Sequence, residues 1–322
     1  MASPGRAGRG WNAFTARNNG RASTINADAM HRISILTPDP AESSYPDLWP
    51  KVLARLQRAL DGAGITAVPT PWTAHMDDAA GLREYAFVLP LLVWGYHHDA
   101  VRWQQACATW ERDGVSLANP ARMLAWNTDK RYLLDLAQRG VAIPATTFTD
   151  ALSQEEVERA FVETGAETLI VKPAVSGGAW KTRRLRRGDA VEAADGTTML
   201  LQPYLPAIKT RGETSLLYFG GRFSHAVNKR PVSGEFRIQE QFGGEYALVT
   251  APPAGALALA EQVLEAIGEP LLYARIDMVP DAEGRWLLME AELIEPDFYL
   301  GVDPAQGAGF AQALREWVDA AG

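Results

Sequence analysis

The segment Tyr273-Ala274-Arg275-Ile276-Asp277-Met278-Val279, followed by Trp286-Leu287-Leu288-Met289-Glu290-Ala291-Glu292-Leu293, is apolar enough for buried strands yet carries charges inside them. Side chains alternate along a strand, so Arg275 and Asp277 share one face, as do Glu290 and Glu292. Between the runs, Asp281-Ala282-Glu283-Gly284 has the chemistry of a turn that joins antiparallel strands. The hairpin brings Asp277 towards Glu290 and Glu292. Carboxylates crowded on one sheet face repel one another and lose hydration, so they need a compensating cation. Magnesium fits, because it is hard, prefers oxygen and is commonly held by a few carboxylates together with nucleotide phosphates. The competing reading is a solvated strand face, where acids also alternate with apolar residues.

Upstream residues favour the first reading. Lys172 closes the apolar run Leu169-Ile170-Val171 and precedes Pro173 and Ser176-Gly177-Gly178, a fixed cation beside a loop whose backbone N–H groups can fold over phosphates. Lys130 follows Trp126-Asn127-Thr128-Asp129 at the start of a helical segment, where the helix dipole disfavours a cation. Gln202-Pro203-Tyr204-Leu205 ends a strand and enters a linker, a place where backbone groups can pair with an adenine edge. Trp180 stands on the same loop as the glycines, placed like a lid over the phosphates.

Further out, the chain is an α/β protein. Ile33–Leu36, Ile65–Val68 and Phe87–Val93 read as strands of a mostly parallel sheet. Leu48, Val52, Leu53, Leu56 and Leu60 recur at helical spacing before Asp61-Gly62, and further helices are expected at 100–111 and 128–138. Ser153 with Glu156 is a capping box that starts a helix reaching about Glu163. Hairpin strands at 215–219 and 222–227, a helix at 257–266 and a last helix at 310–318 complete the pattern. The first 30 residues, with Arg6, Arg9, Arg17 and Arg21 and no acid before Asp28, read as a disordered extension upstream of a start at Met30, in preference to a transit peptide.

Composition removes several classes. The 322 residues are 47% hydrophobic and 22% charged, which is ordinary globular usage, and allow two or three units with real cores. A formal net charge of −8 argues against nucleic-acid binding through a broad basic surface. The single Cys107 reads as a core residue of a protein from a reducing compartment. The apolar stretch 85–96 is broken by Pro90 and too short for a bilayer, which needs about 20 residues. Cytoplasm is the expected location.

Some tempting motifs fail. Gly177-Gly178-Ala179-Trp180-Lys181-Thr182 has Trp180 where a P-loop requires Gly. Gly62-Ala63-Gly64-Ile65-Thr66-Ala67 spells a dinucleotide fingerprint but follows a helix and precedes a strand, the reverse of the required order. His97-His98 lacks the partners of a zinc site and reads as a loop or helix-start pair.

The ordered set of lysines and carboxylates resembles the ATP-grasp superfamily of ligases, which includes glutathione synthetase and D-alanine:D-alanine ligase, over residues 31–320. The resemblance implies an N-terminal parallel-sheet unit at 31–126, a small subdomain with a phosphate lid at 127–205 and a metal-bearing subdomain at 206–322. It implies that Lys130 and Lys172, with Ser176, Gly177 and Gly178, hold the phosphates of ATP. Gln202, Pro203, Tyr204 and Leu205 would hold adenine through the backbone, and Glu213 the ribose. Asp277, Glu290 and Glu292 would hold two Mg2+ ions, with Mn2+ as an alternative.

The segment Lys229-Arg230-Pro231-Val232-Ser233-Gly234-Glu235-Phe236-Arg237-Ile238-Gln239, with Gly243-Gly244, is similar to the Gly-Asp/Glu-Phe-Arg-x-Asn and Gly-Gly stretch of glutamate-adding and glutathione-type ligases. Ser224-His225-Ala226-Val227 and 126–133 look most like the cycloserine synthetase family, ATP-dependent cyclo-ligases of O-ureido-serine. The chain departs from the superfamily at Glu292, often Asn at that metal position, and at Ser215, where glutathione synthetases tend to carry Arg.

A carboxylate is a poor electrophile, and this family activates it as an acyl phosphate for attack by an amine. Phosphoryl transfer depends on positioning and charge neutralisation, for which Lys229, Arg237 and Arg275 are the catalytic candidates. A guanidinium fork matches carboxylate and phosphate oxygens. The expected substrate is a small amino-acid-like carboxylate, joined to an amine or closed into a ring, with no nucleic-acid or membrane partner; a homodimer or homotetramer is compatible. The alternatives are a ligase that adds amino acids to a peptide or protein terminus, and a nucleotide-binding protein without turnover.

Overall fold

The computed structural model describes residues 32–39, 41, 46–192, 196–233, 235–239 and 242–321. The expected N-terminal extension and Gly234 lie outside the described residues.

β1 (Arg32–Thr37) is buried along all but its first residue and pairs in parallel with β2 (Thr66–Pro71) and β3 (Val88–Leu89). α1 (Trp49–Asp61) makes the crossover between β1 and β2, with Pro50 in its first turn and Leu53, Leu56 and Leu60 buried. The expected strand at 87–93 is cut short after Leu89. Pro90 has no N–H for a ladder, and Leu91, Leu92 and Val93 continue as buried irregular chain. A 3₁₀ turn at Tyr96–His98 follows, then α2 (Ala100–Arg112), capped by the Asp99 side chain accepting from Arg102 N–H.

The helix expected at 128–138 starts only at Tyr132, as α4 (Tyr132–Gln138), and a separate helix that the sequence reading missed, α3 (Ala121–Thr128), ends where it was expected to begin. Asp129 between them is extended, with φ −99° and ψ 122°. The break lets Lys130 donate its backbone N–H to Ala174 O at 2.9 Å, tying the junction to the glycine loop.

The second sheet is antiparallel, in the order β4-β7-β5-β6. β4 (Thr147–Thr149) precedes α5 (Gln154–Thr164), where Ser153 accepts from Glu156 N–H as the capping box requires. β5 (Thr168–Pro173), β6 (Arg183–Arg186) and β7 (Met199–Pro203) complete it, over a core of Val157, Phe161, Leu169, Val171 and Leu201.

After α6 (Ala207–Thr210) come β8 (Glu213–Phe219), β9 (Arg222–Arg230) and β10 (Glu245–Leu248), then α7 (Ala254–Ile267), β11 (Tyr273–Pro280) and β12 (Trp286–Glu292). The third sheet runs β10-β9-β8-β11-β12, antiparallel throughout. α4 and α7 cover one face through Leu133, Leu136, Leu259 and Val263. The last helix, α8 (Ala308–Ala321), packs Phe310 and Leu314 into one core with Ile33 and Ile35 of the first sheet, Leu56 of α1 and Phe219 of the third sheet. The architecture is thus α/β in its N-terminal part and α+β beyond it.

Candidate active site

The hairpin read from the sequence forms, and its register places Asp277 opposite Glu290 and Arg275 opposite Glu292. Buried side-chain amides pin its second strand. Asn127 Nδ2 donates to Ala291 O at 2.8 Å and its Oδ1 accepts from Leu293 N–H at 2.9 Å, while the Tyr132 hydroxyl accepts from Ala291 N–H at 3.0 Å. Asn119, fully buried, donates to Tyr273 O and Leu293 O and accepts from Leu272 N–H. Each bond satisfies a backbone group that would otherwise be buried without a partner. Together they hold the carboxylates of β12 at a fixed height over the cleft.

The cation that crowded carboxylates demand is supplied by the chain itself. Asp277 accepts from Ser215 Oγ at 2.5 Å, from Lys229 Nζ at 3.1 Å and from the Arg275 fork at 3.0–3.1 Å. Lys229 also reaches Glu213 Oε1 at 2.7 Å, Arg275 pairs with Glu292, and Lys130 Nζ lies 3.1 Å from Glu290 Oε1. Burial works against every one of these charges, but Arg275 and Lys229 hold the Asp277 carboxyl well below its ordinary range. Asp277 and Glu213 in turn raise the Lys229 ammonium despite its burial. Burial, with Glu290 and Asp277 nearby, raises Glu292 although Arg275 opposes it. Among the described residues no group of three His, Cys, Asp or Glu side chains is arranged to hold a metal ion.

Lys172 differs from the other cations. It projects from β5 into the cleft and makes no hydrogen bond or salt bridge among the described residues, and burial lowers its pKa. Lys130 Nζ instead donates to Ser176 O at 2.8 Å, fixing the base of the glycine loop. That loop approaches the first unit closely: a Cβ on Gly177 would lie 3.1 Å from His97 Nδ1 and 3.7 Å from Glu295 Oε1. Trp180 stands edge-on to His97 and His98, with ring centroids 5.6 and 5.2 Å away.

All the site residues expected from the sequence line one open cleft of about 580 Å³ between the sheets, a volume suited to a small-molecule site. Some differ in disposition from the expectation. Arg237 faces the cleft, but its fork is taken by Glu235, at 2.6 Å, and its guanidinium lies 3.6 Å over the Phe242 ring. Tyr204 donates its N–H to Thr168 O, and Gln202 Nε2 donates to Thr146 Oγ1. The Gly243-Gly244 turn has a steric reason, since a Cβ on Gly244 would overlap the Ile238 carbonyl.

The cleft also takes in Tyr96, Glu295, Asp297 and Tyr299, which strand alternation does not single out. Acids at 290, 292 and 295 before Pro296 are a faint signal for Glu295. It was hidden because Glu295 lies beyond the strand, where alternation no longer applies.

Comparisons with known proteins agree with this geometry. The chain is 30% identical over 284 residues to the cycloserine biosynthesis protein DcsG of Streptomyces lavendulae, covering 81% of this chain and 92% of that protein. The crystal structure of D-cycloserine synthetase DcsG matches with a TM-score of 0.74 and 26% identity, over 89% of this chain and 99% of that one. D-alanine–D-alanine ligase from Bacillus anthracis matches with a TM-score of 0.66 at 15% identity, over 90% and 97% of the two chains. The ATP-grasp ligase PsnB, complexed with a precursor variant, Mg and ADP, matches at 0.58 and 17%, over 88% and 98%. The last two speak to the fold alone. No protein-family model matches the chain.

Paired antiparallel sheets around a cleft of lysines and carboxylates, behind a parallel-sheet unit, are the architecture of an ATP-grasp ligase, an ADP-forming carboxylate–amine ligase or cyclo-ligase. Within that class the chain belongs to the family of the cycloserine synthetase DcsG.

Proposed function

We propose that the chain uses ATP to activate a small amino-acid-like carboxylate and closes it on a nitrogen of the same molecule, a reading supported by its similarity to a protein named D-cycloserine synthetase. The observation that carries this reading is the match to 92% of the cycloserine biosynthesis protein at 30% identity.

The cleft fits ATP with magnesium. Lys172 is an uncommitted cation in a half-buried position, suited to a phosphate. Glu290 and Glu292 are neighbours on one strand face with side chains 30% and 26% exposed. Magnesium commonly binds one or two carboxylates plus substrate phosphates, so this pair suits an ion that arrives with the nucleotide. Two Mg2+ ions, or Mn2+ in their place, would share these carboxylates. Asp277, whose oxygens are both taken by cations, would join them only after Lys229 or Arg275 moved. When bound, ATP with Mg2+ supplies the phosphoryl group that makes a carboxylate electrophilic.

The chain's own residues then bind and orient. Lys130 holds the Ser176 carbonyl and Glu290 together, keeping the loop base beside the carboxylates. With Tyr204 N–H used by Thr168, an adenine edge would take other backbone groups of the 202–205 segment, and Glu213 would offer a ribose its second oxygen. Arg275, fixed by Asp277 and Glu292 and lying 5.2 Å from the Tyr299 ring centre, is the residue set to orient the reacting carboxyl. Lys229 keeps Asp277 in place for it, and Arg237 serves only once released from Glu235. The same reading puts the 127–205 unit over the phosphates, the 206–322 unit beneath them and the reaction in the cytoplasm; no helix among the described residues is long and apolar enough to cross a membrane.

The test is magnesium-dependent ADP release with a panel of amino acids, O-substituted serines including O-ureido-D-serine, and short peptides, with products identified by mass spectrometry. ADP release that depends on one serine derivative, with a ring-closed product and no added amine, is the expected result. An adduct with an added amine or a peptide would overturn cyclisation in favour of intermolecular ligation.

A further inference from the structure

Glu213, Asp277, Glu290, Glu292, Glu295 and Asp297 all line the cleft. Glu213, Asp277, Glu290 and Glu292 each pair with a lysine or arginine, and Asp297 accepts from Tyr299 N–H at 2.8 Å. Glu295 alone of these makes no hydrogen bond or salt bridge among the described residues. Its place is specific: it follows the end of β12, immediately before Pro296, and its Oε1 lies near Gly177 at the mouth of the loop. Arg275 and Lys130 act on it electrostatically, but both are bonded to other carboxylates.

A half-buried carboxylate with no partner is costly, and a ligand that brings a positive charge offsets the cost. We propose that Glu295 is a specificity-determining residue that receives the α-ammonium of a zwitterionic amino-acid substrate whose carboxyl is oriented by Arg275. The inference rests on the ligase reading above and narrows its substrate to amino acids with a free amine, against N-acylated or peptide-bound forms. Burial and the nearby Glu290 push the Glu295 carboxyl up to about 8, the mark of a carboxylate whose charge the cleft does not compensate and an ammonium beside it would.

The experiment is calorimetric binding of O-ureido-D-serine and its N-acetyl derivative in the presence of ADP and Mg2+, to the wild-type chain and to Glu295→Gln and Glu295→Asp. The wild type should prefer the free amine by about 10- to 100-fold, the span of a charge-assisted hydrogen bond. Glu295→Gln should bring that preference close to one with ADP affinity unchanged, and Glu295→Asp should restore part of it. Undiminished preference in Glu295→Gln, no preference or no binding of the free amine in the wild type, or loss of the magnesium requirement in Glu295→Gln would overturn the assignment. Absent ADP release, with amine-dependent binding that Glu295→Gln abolishes, would overturn the ligase reading and leave this one standing.

Discussion

Asp277 and Lys172 show how differently one cleft treats two charges. Asp277 is 3% exposed and bonded to Ser215, Lys229 and Arg275 at once. Removing one member of a buried ionic group leaves the others uncompensated, at about 3–5 kcal/mol. Asp277→Ala should therefore lower stability by that order in urea unfolding, besides abolishing turnover. Lys172 has no such partner, so Lys172→Met removes a desolvated charge without orphaning another. It should leave the urea midpoint unchanged or raised while weakening ATP binding by about 10- to 100-fold, the worth of a charge-assisted contact. The sequence places both residues at the nucleotide end, through a charge in an apolar strand. It does not say which is committed, because Ser215 and Lys229, the partners of Asp277 on β8 and β9, are far from it in the chain.

Among the elements, the loop between β5 and β6 and the turn at Tyr96–His98 act as a pair. Gly177 lets them meet, and Gly177→Ala should push the loop off His97 and raise the KM for ATP several-fold while leaving the fold intact. Burial first, then His98 and Lys130, lower the His97 pKa to about 4, and Glu295 faces the same junction. The ordinary value is about 6.5. Because the docked form disfavours the protonated ring, its contribution is complete above about 6.5 and is lost as pH falls towards 4. Trp180 fluorescence should therefore report loop release over that window, and His97→Asn should abolish the pH dependence. Helical segments and a capping box were enough to read α1, α2 and α5, whereas the break at Asp129 was not legible. It exists because Lys130 bonds to Ala174 and Ser176, a tertiary demand that overrides local helix propensity.

At the level of the whole molecule, α8 closes the chain onto its beginning. Phe310 is fully buried between the first and third sheets, against Phe219 and Phe298. Phe310→Ala should cost about 3–5 kcal/mol, and circular dichroism against urea should show both sheets losing stability together. Independent transitions with only one affected would mean that this core does not couple them.

Strand alternation, a turn at 281–284 and the order of lysines before carboxylates were written locally, so the sequence by itself determined the β11–β12 hairpin, most of the helices and many of the residues that line the cleft, and the ligase class followed from the resemblance those motifs carry. Periodicity acts over a few residues and survives without knowledge of the fold. The tertiary structure alone decided which carboxylates are already neutralised, that Arg237 is held by Glu235, and that Glu295 stands without a partner beside the loop. Apart from the local Glu235–Arg237 and Arg275–Asp277 pairs, those are distances between segments tens of residues or more apart, and only packing sets them.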